Sequence, residues 1–362
     1  MYISRCSVVA TACIVFIAGL LAIGCGDDDT SSNPVTSNSL PGAWAPVGTG
    51  IGVGDLGQAT ALSVIGDTLV LGGDFDFVDS ITSHSIAVWN GSSWGPLGSG
   101  VTGGPVRAFT EYGEYLIAGG EFDHVGAITG NHVALWDGSS LAPLSTGRAT
   151  DVFALASYQT TVITGGVSGT NGGFGAFNGL NWTTLASNIT VRALTVYNDT
   201  LIVGGTFSDL GNASGDNIFA FTGFNSLSLG SGINGSVYAL TVYDGTLIAG
   251  GSFTVAGGDT VSNIAAWDGS AWTALGSGIN GAVFGLTVWD NRLIACGQFS
   301  TAGGKGAACI AAWDGSSWKS LGSGANATVW AVTAYGVKLI ACGNFTNAGG
   351  VAARGIAAWT PQ

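Results

Sequence analysis

The sequence predicts an all-β fold: a seven-bladed β-propeller with four antiparallel strands per blade, the last blade closed by the N-terminal strand. Three observations lead there. A hydrophobic run ending in Gly-Gly recurs from Gly72, Gly119, Gly165, Gly204, Gly250, Cys296 and Cys342, at spacings of 47, 46, 39, 46, 46 and 46 residues. A period of that length marks a repeat architecture. Each unit divides into four short apolar runs bounded by Gly, Asp and Asn, which read as strands. The chain ends on a third strand and its repeats begin with an isolated fourth one, so the two ends complete one unit.

Composition narrows the class further. The 362-residue chain has 62 Gly and 12 Trp, only 9% charged residues and a net charge of −13. So many aromatics supply a core, and so few charges suit an extracytoplasmic β-protein better than a cytosolic enzyme. The nine basic residues form no stripe. Nucleic acid and anionic membrane surfaces, which need clustered Lys and Arg, are excluded as partners.

At the N-terminus, Arg5 precedes an apolar stretch from Ser7 to Ile23, then Gly24 and Cys25. A cationic start, an apolar core and small residues before a cut make a secretory signal. Cys after the small residue resembles the signal of bacterial lipoproteins, with Ala22 where that family usually has Leu. The resemblance implies a cut after residue 24, a lipid on Cys25 and an address in the bacterial cell envelope. Residues 1–24 are thus expected as signal peptide, 25–42 as a flexible polar tether and 43–362 as the propeller. Cys6 and Cys13 would leave with the signal. Cys296, Cys309 and Cys342 remain, in no zinc-type spacing; they are expected as buried small residues, with a Cys296–Cys342 disulfide left open.

Unit five shows the strands most clearly: VYALTVY (237–243), TLIAGGSF (246–253), NIAAW (263–267) and SAWTALG (270–276). Asp244-Gly245 and Asp268-Gly269 read as two-residue hairpin turns, in which Gly accepts the positive φ. That register sets Ala265 opposite Trp272, Ala87 opposite Trp94, Ala311 opposite Trp318 and Gly175 opposite Trp182. In unit four it sets Phe219 opposite Ser226, the large and small partners exchanged. At the chain ends, AWAPVGTG (43–50) is expected beside IAAWTPQ (356–362), with Trp44 opposite Ala357. This pairing hides two sheet edges.

Gly-Gly ending the second strand, aromatic-Asp closing the third and Trp in the fourth resemble kelch-type repeats. The string LIAGGSF…IAAWDGSAWTALGSGINGAV is also similar to repeats of the fungal cortical-marker proteins of bud-site selection. These resemblances imply a propeller over residues 43–362. Kelch-type propellers mostly bind proteins, while some secreted ones, such as the galactose oxidase group, are enzymes.

Candidate site residues gather in units one and two. Asp74, Asp76 and Asp79 follow Gly73; Glu121, Asp123 and His124 follow Gly120; His84 and His132 precede the third strands. Carboxylates suit calcium, and His with carboxylate suits a transition metal, so His84, His124 and His132 are candidate metal ligands. No complete calcium loop is present, and a solvated acidic rim explains the same residues. No cofactor is therefore expected. No catalytic residue is assigned: there is no Gly-x-Ser-x-Gly elbow or convincing triad. Asn188, Asn198, Asn234 and Asn326 head glycosylation-type triplets that read as Asn-rich turns.

The expected function is a non-enzymatic, membrane-tethered, monomeric module that takes a protein or glycan ligand on the face shared by the inter-blade loops and the loops joining second to third strands. The alternative is a secreted carbohydrate-active or metal-dependent enzyme working from the acidic–His rim.

Overall fold

The computed structural model describes residues 38–52, 58–169, 172–208, 216–223 and 225–362. The signal segment 1–24, Cys25 and the tether up to residue 37 lie outside the described residues. All regular structure among the described residues is β.

Among the described residues, seven sheets have four strands or more. The first comprises Gln58–Ile65, Thr68–Asp74, Ile86–Trp89 and Trp94–Pro96, hydrogen-bonded in that order. The next five repeat the order, their innermost strands being Val106–Tyr112, Val152–Tyr158, Thr190–Tyr197, Ser236–Tyr243 and Ala282–Trp289. In the seventh sheet, Val329–Tyr335, Lys338–Gly343 and Ile356–Pro361 are completed by Gly42–Pro46 from the other end of the chain. Ser39–Leu40, inside the stretch expected as tether, pairs in parallel with Ser320–Leu321 as a fifth strand of the sixth sheet.

The apolar residues form seven clusters, each spanning one sheet and the next. One cluster joins the seventh sheet to the first: Ile340, Cys342 and Ile356 meet Leu69, Leu71 and Ala87. The innermost strands contact one another in the same order, and Val329–Tyr335 contacts Gln58–Ile65. Second strands are buried on both faces. Leu247 and Ala249 enter one core and Ile248 the next, so the period-2 pattern of a half-exposed strand is absent.

The Gly-Gly pair is what lets the sheets approach. A Cβ on Gly250 would lie 2.6 Å from Val283 Cγ1 of the next sheet, and one on Gly251 would lie 2.0 Å from the Ser236 carbonyl oxygen. The first contact is with a side chain and can be relieved. Cys296 faces Gly285, where six other copies have Ala. Cys342 shares its cluster with Ala59, where the other copies have Val. Both thiols are buried and free, and Cys309 is free as well, so the described residues hold no disulfide. Burial pushes the Cys296 and Cys342 thiols far above their usual range.

The outer hairpins correct the expected register by two residues. Trp267 lies opposite Trp272, and Ala265 opposite Ala274. Likewise Trp89 faces Trp94, Trp313 faces Trp318 and Phe177 faces Trp182. Phe221 rather than Phe219 faces Ser226, and Trp44 faces Trp359 while Ala357 faces Pro46. In the hairpins headed by Asp, the Asp side chain braces this register. Asp268 Oδ1 accepts the backbone N–H groups of Ser270 and Ala271 at 2.7 and 2.9 Å, and the Asp268 N–H reaches the Ala271 carbonyl at 3.2 Å. The connection is therefore a four-residue loop. Large faces large, and the Trp267 and Trp272 rings sit 5.4 Å apart at 48°. Asp244-Gly245, with φ of 48° and 70°, is the two-residue turn expected of it.

Fourth-strand Trp residues also tie sheet to sheet. Trp272 Nε1 donates to the Leu229 carbonyl at 2.9 Å, Trp318 Nε1 to Leu275 at 3.0 Å and Trp44 Nε1 to Leu321 at 2.8 Å.

Candidate functional site: a central pocket lined by bulges

Every innermost strand carries a β-bulge near its start, where its pairing with the second strand skips one residue. The skipped residues are Thr60, Arg107, Phe153, Arg192, Tyr238, Phe284 and Trp330. A bulge re-aims the extra side chain out of the ladder. These seven side chains, with Glu121, line one cavity of about 420 Å³. A second cavity of about 250 Å³ shares the seven and continues along the Ala/Gly and Leu/Phe/Val residues that follow them.

Half of the pocket's eight described lining residues are aromatic. Tyr238 and Phe284 have ring centroids 5.4 Å apart, and Phe284 and Trp330 4.6 Å apart. Trp330 Nε1 donates to Asn344 Oδ1 at 2.9 Å, and Arg107 Nε donates to Glu121 Oε1 at 2.8 Å. In both pairs a bulge residue meets the residue just after the Gly-Gly-type dipeptide of its own sheet. Thr60 Oγ1 donates to the Val106 carbonyl at 2.6 Å. The Arg192 guanidinium lies 4.9 Å from the Phe153 ring centre and 5.8 Å from that of Tyr238. The ion pairs among the described residues leave Arg192 without a carboxylate. With Arg107 neutralised by Glu121, the described lining of the pocket keeps one uncompensated positive charge inside a chain of net charge −13.

The acidic–His residues do not gather into one group. Glu121 alone belongs to the pocket. Asp74 is exposed at the corresponding position of the first sheet, its backbone paired with Gln58. Asp76 and His84 stand 3.8 Å apart, both well exposed. Asp79 is a clamp: its Oδ1 accepts the N–H groups of Thr49 and Gly50 at 2.6 and 3.2 Å. Asp123 and His124 are exposed, and His124 pairs through its backbone with Thr129 and Thr102. His132 Nδ1 lies 3.7 Å from Asp151 Oδ1. His132 has a φ of 71° and occupies the repeat position of Asn217 and Asn263, at 63° and 60°, so a left-handed turn accounts for its place. Among the described residues no three His, Cys, Asp or Glu side chains stand close enough to hold a metal ion.

The loop sets expected to share a face do meet there. Inter-sheet segments bridge to the small hairpins between second and third strands at Ile233–Ala256, Ile279–Ala302 and Ala325–Ala348. Asn234 Oδ1 accepts the N–H groups of Thr254 and Val255, both at 2.9 Å, and Asn326 does the same for Thr346 and Asn347 at 3.0 Å. Two of the glycosylation-type Asn residues are thus structural clamps.

Sequence reasoning missed the pocket. Its signal was one column of the repeat, between Val or Ala and a small residue, that varies in bulk and charge from copy to copy beside near-constant neighbours.

A family model described as the Rax2 C-terminal beta propeller domain matches residues 175–344. The repeats' similarity to cortical-marker proteins thus extends to a propeller model. No curated protein matches the chain. Among solved structures, the WD40 beta propeller domain of Doa1 is 14% identical with a TM-score of 0.55, covering 85% of this chain and 97% of that one. A chain of the mitotic checkpoint complex is 14% identical with a TM-score of 0.56, covering 95% and 98%. The computationally designed Ika8 protein is 16% identical with a TM-score of 0.52, covering 83% of each chain. At such identities the likeness shows the fold: the described residues, whose regular structure is all β, contain a β-propeller.

Proposed function

We propose that the protein is a non-enzymatic binding module of the bacterial cell envelope. In this reading the seven sheets are the blades of one closed, kelch-like ring whose last blade is shared by both chain ends. It is tethered as a monomer through a lipid on Cys25. A protein or glycan ligand meets the loop face and inserts its leading group into the central pocket. Propellers commonly serve as binding modules, though the fold does not decide the function. The observation that carries the reading is the convergence of seven bulge side chains, four of them aromatic, on one pocket. A concave, mostly apolar pocket with a few convergent polar groups is the form of a ligand site. Among the described residues its one carboxylate, Glu121, is engaged by Arg107, and no second carboxylate lines the cavity for paired acid–base work.

The test is a thermal-shift screen of the full chain against glycans, peptides and envelope extracts, repeated with Trp330→Ala. A ligand that raises the parent's Tm and leaves the variant's unchanged supports the reading. A ligand whose effect survives both Trp330→Ala and Phe284→Ala places binding elsewhere and overturns it, as does catalytic turnover of a bound compound. Cys25→Ser should shift the chain from the membrane fraction to the soluble one.

A further inference from the structure

The pocket's chemistry narrows its ligand. We infer that it takes a carboxylate-bearing saccharide, its acid group on Arg192 and its ring against the Tyr238–Phe284–Trp330 wall. This rests on the pocket being the binding site, and deepens that reading.

Arg192 is held over two rings rather than by a carboxylate. The two rings hold the guanidinium in place, and with no carboxylate of the described residues on it, its N–H fork suits a planar bidentate acceptor. A sulfonate or phosphate would meet the same charge, but a carboxylate matches the fork with a single plane. A net positive charge in a concave site with apolar walls concentrates the field there. The chain as a whole, at −13, repels the same anion elsewhere. The charge of the pocket therefore selects the ligand's sign, and its location selects where the ligand sits.

The wall selects the ligand's shape. Three rings follow one another with centroid steps of 5.4 and 4.6 Å, giving a continuous run of apolar surface. The C–H face of a pyranose covers such a surface, and its edge carries hydroxyls that need partners. Glu121 and Thr60 supply oxygen atoms at the pocket's border, and Asn344 stands beside Trp330. A cavity of about 420 Å³ admits one or two sugar rings, which makes the ligand the acidic end of a glycan. An extended peptide end would place a carboxylate on Arg192 and leave most of the wall uncovered.

The test is calorimetric titration of the full chain with three probes: an oligosaccharide ending in glucuronic acid, its neutral glucose-ended counterpart, and a short peptide with a free C-terminal carboxylate. The expected result is at least tenfold tighter binding of the acidic saccharide than of either other probe. Arg192→Gln should abolish that preference, and Arg192→Lys should restore part of it. A preference intact in Arg192→Gln overturns the assignment. Equal binding of acidic and neutral saccharides overturns the inference and leaves the pocket a glycan site. Tighter binding of the peptide overturns the saccharide and leaves the pocket a binding site. No binding of any probe also overturns it, while the separate screen with Trp330→Ala still decides whether the pocket binds at all.

Discussion

At the scale of single residues, the two glycines of the repeat do different work. The first makes room for a neighbour's side chain, which can shift or be replaced, as Cys296 and Cys342 demonstrate. The second faces a carbonyl oxygen in every copy, from Gly166 at 1.9 Å to Gly343 at 2.1 Å, and main chain cannot step aside. Gly250→Ala is therefore expected to cost about 1–3 kcal/mol by overpacking, and Gly251→Ala clearly more. Denaturant melts of the two variants check the order, and equal losses would refute the distinction. Gly175 shows the same economy of space, because a Cβ there would lie 2.6 Å from the Arg148 guanidinium, which stacks 5.4 Å over Trp182. The period and the small size of these residues were plain in the sequence. Which glycine faces backbone and which faces side chain was not, because that depends on the adjoining sheet.

At the scale of elements, the outer hairpins hold the main lesson about legibility. Asp-Gly appears at 244–245 and at 268–269, yet one is a two-residue turn and the other opens a four-residue loop. The dipeptide cannot distinguish them, and at 268 the side chain braces the longer loop. Where Asp Oδ1 captures two successive N–H groups, the loop lengthens and the register moves by two. A shift of two leaves each side chain on its face, so burial was legible in the alternation while the cross-strand partner was not. The same capture makes the loops acid-sensitive. The N–H of Ser140 foremost, then that of Ser139, holds the Asp137 carboxyl well below its ordinary 3.8, and the N–H of Ala271 lowers that of Asp268. A depressed folded-state value adds stability that is present above 3.8 and lost as pH falls from there toward the folded value. Asn90 and Asn178 make the same bonds with a neutral amide. Asp137→Asn combined with Asp268→Asn should therefore keep the loops and flatten the acid limb of stability. Urea midpoints between about pH 2 and about pH 6 read this out. Parallel limbs in parent and variant would contradict it.

At the scale of the whole molecule, stability is distributed over seven cores between sheets, and the one joining the sixth and seventh sheets draws on both ends of the chain. Trp44 is 6% exposed, pairs with Trp359 and donates to Leu321 of the preceding sheet. Trp44→Ala should cost about 3–5 kcal/mol. Deleting residues 43–50 should cost most of the domain's stability, because it strips the outer strand from the seventh sheet. A deletion variant that melts with the parent would show that the terminal strand is dispensable. The pairing of the two ends was legible from the repeat count alone. The candidate site was not: reading the loops drew attention to Asp74 and its neighbours, which carry charge but scatter. The pocket is built by strand residues whose direction is set by a bulge that leaves no mark in composition.

That bulge gives the pocket a combinatorial character. Each repeat contributes one side chain that belongs to no ladder and to no core, so its identity is nearly independent of the fold around it. Thr, Arg, Phe, Arg, Tyr, Phe and Trp at these positions form a seven-letter word written on a constant page. On the proposed reading, rewriting it one letter per repeat would change what the pocket accepts while the scaffold that presents it stays the same.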